Sequence, residues 1–121
     1  MLKRIAIALP LIVSLFTGAP GLFASPVTGM NFSNMRVGAF TTVPYRGIYF
    51  RGFERATVAV MGDGDTVLSL RVFDQNGILV GEDTCQYRWC VTSFIPRWTQ
   101  PFYITVENMG GVYNEYAMRA Y

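Results

Sequence analysis

The run Leu68-Ser69-Leu70-Arg71-Val72-Phe73, leading straight into Asp74-Gln75-Asn76-Gly77, decides the fold. Leu68, Leu70 and Val72 alternate with Ser69 and Arg71. In an extended chain successive side chains point to opposite faces, so this period of two puts three aliphatics on one buried face. Asn76-Gly77 supplies the positive φ values of a two-residue hairpin turn, and the chain is expected to return through Ile78-Leu79-Val80-Gly81.

The same pattern of short apolar runs and turn signals spreads in both directions. Upstream, residues 48–51 and 56–61 read as strands, the second ending at the turn Gly62-Asp63-Gly64-Asp65. Downstream, a strand runs from about Trp89 to Ile95 and is closed by Pro96. Phe102, Ile104 and Val106 then alternate with Tyr103, Thr105 and Glu107. Asn108-Met109-Gly110-Gly111 turns the chain into a last strand with Tyr116, Met118 and Ala120 on one face. No window shows apolar residues at helical spacing without a nearby Gly or Pro. About seven short strands, with turns roughly every eight to twelve residues, predict an all-β sandwich or barrel.

The amino terminus is built differently. Lys3 and Arg4 precede an apolar run from Ile5 to Phe16, and small or turn-forming residues follow at Gly18, Ala19, Pro20, Gly21, Ala24 and Ser25. That order reads as a cleaved export signal over residues 1–24, cut between about 21 and 25. A membrane span needs roughly 20 apolar residues, more than this run offers. The alternative is an uncleaved amphipathic anchor. Residues 25–42 are polar and read as an exposed lead-in supplying at most one edge strand. The domain proper is expected over 43–121. The expected localisation is secreted or periplasmic.

Export changes the electrostatics. The 121 residues hold ten Lys plus Arg and eight Asp plus Glu, and Lys3 and Arg4 account for the whole excess. A mature chain near zero net charge lacks the basic footprint of a nucleic-acid binder. Its cations are all Arg, which stack on aromatic rings and pair bidentately with carboxylates. These guanidiniums are expected over surface rings.

Much chemistry is excluded by composition. The chain has no His, which removes Ser-His-Asp and Cys-His nucleophile activation and His-ligated zinc. No Lys follows Lys3, so Schiff-base and P-loop chemistry are absent from the mature part. Cys85 and Cys90 are read as a disulfide, the default in an exported chain. A redox-active pair is the alternative, but such pairs are usually closer in sequence. Carboxylates remain. Asp63, Asp65 and Asp83, with Glu82 nearby, are expected to meet at one end of the sandwich, where Ca²⁺ favours clustered oxygen ligands. Asp63 and Asp65 also read as turn residues bonding their own backbone. No catalytic residue is assigned, and calcium is the one cofactor left open.

The order of these features resembles the bacterial pre-peptidase C-terminal (PPC) domain family. The resemblance rests on Glu54-Arg55-Ala56, Gly62 to Thr66, and Leu68 to Gly77. Later it rests on Pro96 to Phe102 and Val112-Tyr113-Asn114-Glu115-Tyr116, so it covers about 43 to 121. It implies a jelly-roll-like antiparallel β-sandwich of seven to eight strands, a module usually appended to secreted proteases. Some such modules bind collagen or polysaccharide, and some bind calcium. The family commonly has Asp where this chain has Val67 and Ser69.

Exposed aromatics are the remaining resource for recognition, since Tyr and Trp anchor many interfaces. Tyr87 and Trp89, held in the Cys85–Cys90 loop, are the expected ligand contacts. The function expected is a monomeric, non-enzymatic binding or structural module for an extracellular protein or polysaccharide. The alternatives are a small carboxylate-dependent hydrolase or lyase, and a subunit of an envelope assembly.

Overall fold

The computed structural model describes residues 30–121; the expected export signal lies outside them. Eight strands form two antiparallel four-stranded sheets. They are β1 (Met30–Val37), β2 (Thr42–Phe50), β3 (Ala56–Met61) and β4 (Leu68–Phe73), then β5 (Leu79–Thr84), β6 (Trp89–Phe94), β7 (Gln100–Asn108) and β8 (Asn114–Ala120). The first sheet has the order β1-β8-β3-β6 and the second β2-β7-β4-β5. Each early strand pairs with a late one: β4 with β5, β3 with β6, β2 with β7 and β1 with β8. The chain is thus one long hairpin, folded at the turn after Phe73 and rolled into two layers. This is the strand order of a jelly roll.

The fold-deciding turn differs from expectation in one respect. Gly77 N donates to Asp74 O and Asp74 N donates to Ile78 O, both at 2.9 Å. Only Gly77, at φ 81, lies in the left-handed region. The loop therefore has three residues, a tight turn followed by a left-handed glycine, rather than two. Asp74 is the cause. Its Oδ1 accepts from Asn76 N at 2.9 Å and Ile78 N at 3.0 Å, which holds Asn76 in ordinary backbone.

The alternating aliphatics meet between the layers. Leu70, Val72, Val58, Val60, Ile104, Val106 and Met118 are fully buried. Burial of such a side chain stabilises by about 1.5–3 kcal/mol. Phe50, Phe94 and Phe102 close one end of the core, with ring centroids 5.1 to 5.6 Å apart. β1 joins this core through Val37, so the segment expected as a lead-in carries a full edge strand of the sandwich.

Loops gather at two ends. The β1–β2, β3–β4, β5–β6 and β7–β8 loops share one end, joined by bonds such as Phe40 N to Gly110 O and Gly62 N to Arg88 O. The β2–β3, β4–β5 and β6–β7 loops share the other, where Phe53 N donates to Pro96 O at 2.7 Å.

Candidate functional site

The β5–β6 connection is a two-residue hairpin. Gln86 N donates to Trp89 O at 2.9 Å and Trp89 N to Gln86 O at 3.2 Å, leaving Tyr87 and Arg88 at the corners. One step outward, Cys85 and Cys90 face each other as the close, non-hydrogen-bonded pair, with Cα atoms 4.3 Å apart and sulfurs joined. The bond does more than close a loop. Cys85 N donates to Leu68 O in the second sheet, and Cys90 pairs with Val60 of the first. The staple therefore ties the layers together where the chain crosses between them. Replacing both cysteines by Ala is expected to cost about 2 kcal/mol. Urea denaturation of the double variant and the oxidised wild type will measure that difference.

Tyr87 is held rather than loose. It has φ 57, a conformation that costs energy for any residue with a side chain, and it is 73% exposed. A Cβ added to Gly64 would lie 3.0 Å from the Tyr87 ring, so the tyrosine rests on the β3–β4 turn. Arg88 fastens the same contact: Gly62 N donates to Arg88 O at 2.8 Å and Arg88 Nε donates to Gly62 O at 3.2 Å.

Trp89, 57% exposed, continues this surface onto the outer face of the first sheet. It sits in register with Met61, Val91 is in register with Ala59, and Met61 with Ala117. All five lie on the solvent phase of their strands, next to inward-facing Val60 and Cys90. Tyr87, Trp89, Met61 and Val91 thus form one exposed apolar strip. Single exposed apolar residues are ordinary, but contiguous ones mark contact surfaces.

The carboxylates are placed otherwise than expected. Asp63 Oδ1 accepts from Asp65 N at 2.9 Å, and Asp63 Oδ2 accepts from Glu115 N at 2.8 Å. Asp63 N in turn donates to Asn114 Oδ1 at 3.1 Å, so this residue latches the β3–β4 turn onto β8. Asp83 Oδ2 accepts from Val91 N at 2.9 Å, capping the edge of β6. Glu82 pairs with Arg71 on the outer face of the second sheet at 3.4 Å. Among the described residues no three His, Cys, Asp or Glu side chains converge on a point. The expected meeting of Asp63, Asp65, Glu82 and Asp83 is therefore not formed, because the β3–β4 turn is bound to β8 while β5 belongs to the other sheet.

Among the described residues, four arginines stack as expected. Arg36 lies 4.1 Å from the Tyr113 ring centre, Arg46 4.5 Å from Tyr103, Arg119 5.3 Å from Tyr121 and Arg88 5.9 Å from Tyr87.

Sequence reasoning missed the backbone behind the display. Among the described residues, four other than glycine have positive φ: Asn34, Phe40, Phe53 and Tyr87. Asn tolerates this region, but the other three are aromatic, and all three are strongly exposed at loop tips. No local signal marks a Phe or Tyr for left-handed backbone. Met61 and Val91 were legible as strand residues, but their outward neighbours were not. No protein-family model matches the chain, and no curated protein matches it.

Proposed function

We propose that the protein is an exported, non-enzymatic binding module that grips an extracellular protein or polysaccharide through the Tyr87–Trp89 hairpin. The observation that carries this reading is Tyr87: an aromatic in costly backbone, propped on Gly64 and presented to solvent by a stapled hairpin. Backbone strain persists where the surroundings over-determine it, and it concentrates at functional positions. Trp89 and Met61 beside it are of the types that dominate binding energy at interfaces.

Chemistry supports recognition over turnover. The chain has no His, and Asp63 and Asp83 are occupied by backbone N–H groups. Export is supported by the order of residues 1–24, and the bonded cysteines are compatible with an oxidising compartment. Among the described residues no helix is long and apolar enough to cross a membrane. Kinship with PPC domains belongs to the same proposal and is supported by the jelly-roll strand order.

Assembly through strand addition is the less favoured route. β1 carries a bulge with Asn34 at φ 57, and β2 carries one with Gly47 at φ 70 together with Pro44. On β6 the Val91 N–H is capped by Asp83. Bulges, proline and inward charges are the devices that keep strand edges from pairing.

The processed protein, applied to an array of glycans and extracellular matrix proteins, is expected to bind at least one. Tyr87→Ala or Trp89→Ala is expected to weaken that binding by at least about tenfold while the melting temperature stays within about 3 °C. Binding that survives both substitutions, or silence across the array, removes this function.

A further inference from the structure

The opposite end of the sandwich also holds a hollow. A cleft of about 370 Å³ opens between the β4–β5 and β6–β7 loops. Its apolar lining comes from Phe94, Phe102 and Pro96, continuous with the core. Trp98, 48% exposed, stands in its wall, with Arg97 and Asn76 beside it.

The polar groups here have bonding capacity to spare. Asp74 spends Oδ1 on the Asn76 and Ile78 N–H groups. Among the described residues, Asp74 Oδ2, the Arg97 guanidinium, the Asn76 side-chain amide and the Trp98 indole N–H meet no partner. Gln100, by contrast, is buried and satisfied, accepting from Gln75 N at 3.2 Å and donating to Trp98 O at 3.4 Å. That glutamine fixes the floor, while the wall offers both donors and acceptors.

A second exposed aromatic is tied to the β6–β7 loop. Phe53 is 82% exposed at φ 65, and its N–H is bound to Pro96 O at 2.7 Å. Gly52 makes this approach possible, since a Cβ there would lie 2.5 Å from Trp98 Cα. On the far side of Asp74 and Phe102 a smaller hollow of about 200 Å³ continues toward Arg46 and Tyr103.

We propose that this cleft is a saccharide-binding site, with Trp98 as the stacking platform and Asp74, Asn76 and Arg97 as hydroxyl partners. A sugar ring has an apolar C–H face and a rim of hydroxyls that both donate and accept. The cleft matches both features: apolar aromatic lining, and mixed donors and acceptors at the mouth. Asp74 and Arg97 carry opposite charges, so the site presents no net field that selects an anion. The adjoining second hollow gives room for a linked second ring, so an oligosaccharide fits the shape better than a monosaccharide. This site uses none of the residues of the Tyr87–Trp89 surface and stands or falls separately from it.

The chain has two tryptophans, Trp89 and Trp98, which makes the test direct. ¹⁵N-labelled processed protein shows two indole N–H resonances, assigned with Trp98→Phe. It is titrated with cellotetraose, chitotetraose, mannotetraose and maltotetraose. At least one probe is expected to shift the Trp98 indole saturably and leave the Trp89 indole in place. Trp98→Ala is expected to raise that Kd at least about tenfold, Trp98→Phe by less, and Arg97→Ala about threefold or more. Dispersion of the remaining amide resonances reports that each variant is folded, and Trp98→Phe carries the comparison if Trp98→Ala is not. The proposal is overturned if no probe moves the Trp98 resonance, if a saturating probe moves Trp89 alone, or if the Asn76 amide titrates unchanged in a folded Trp98 variant. Occupation of the cleft by an extracellular protein segment, with all four sugars silent, overturns it equally.

Discussion

Asn108→Leu is expected to destabilise the domain by about 3 kcal/mol, a drop of roughly 10–20 °C in melting temperature for a domain of this size. Asn108 is buried at the end of β7. Its Nδ2 donates to Val112 O at 2.8 Å, Gly38 O at 3.2 Å and Val37 O at 3.3 Å, and its Oδ1 accepts from Gly110 N at 2.9 Å. One side chain therefore holds the β1–β2 and β7–β8 loops together. Leucine keeps the branched outline, though it is bulkier, and it has no polar atom. Val112 O, Val37 O and Gly110 N therefore lose a side-chain partner, while Gly38 O keeps the bonds it accepts from Thr41. Each orphaned group costs about 1–3 kcal/mol, less where water reaches it. Asn108→Asp separates the two contributions. It preserves shape and the Gly110 bond, yet it replaces the donor with a negative oxygen facing three carbonyls. It is expected to be the more damaging of the two. Urea denaturation of the three proteins decides: an Asn108→Asp variant as stable as wild type shows that shape alone matters at this position.

That Asn108 is a pin and not merely a turn residue was invisible in the sequence, and the reason is general to this fold. Local patterns report which face a residue occupies, not which distant loop lies against it. Thus β3, β4 and β8 were legible, because Val58 and Val60, Leu70 and Val72, and Met118 and Ala120 keep strict alternation through unbroken strands. β1 was obscured by its bulge. Met30 and Phe32 face the core, then the bulge at Asn34 shifts the phase, and Met35 and Val37 face it instead. β2 breaks likewise, with Val43 and Tyr45 before its bulge and Ile48 and Phe50 after. A period-two reading sees each as two fragments. The candidate site divides in the same way. The exposure of Tyr87 and Trp89 followed from a short loop between bonded cysteines. The separation of Asp63 from Asp83 depends on which sheet each strand joins, and nothing near either residue encodes that.

Alkaline pH is expected to destabilise the protein through a tyrosine pair inside the sandwich. Tyr45 of β2 and Tyr116 of β8 share a hydrogen bond of 2.6 Å across the two sheets, with both rings buried and Phe32 packed 4.9 Å from Tyr45. Burial pushes both phenols above their ordinary range; the shared bond raises Tyr116 further and eases Tyr45 partly back. The sign follows from proton counting. Below about pH 10 both phenols are protonated whether the chain is folded or not, so the pair makes stability independent of pH. Above it the unfolded chain releases protons that the folded chain retains, and the unfolded state gains. The slope is about 1.4 kcal/mol per pH unit for each tyrosine that stays protonated when folded. By pH 12 the loss is on the order of 3–5 kcal/mol, comparable with the whole stability of a small domain. The Tyr45→Phe, Tyr116→Phe double variant removes both hydroxyls without orphaning either, so near pH 7 its stability is expected within about 1 kcal/mol of wild type. Tyr45→Phe alone leaves the Tyr116 hydroxyl unpaired and is expected to cost about 1–3 kcal/mol. Unfolding free energies in urea from pH 8 to 12 should diverge between wild type and double variant only above pH 10. The extra phenolate absorbance near 295 nm in wild type should appear together with unfolding. Parallel curves across the whole range mean that both hydroxyls reach solvent in the native state, and the closed interface between β2 and β8 is then wrong.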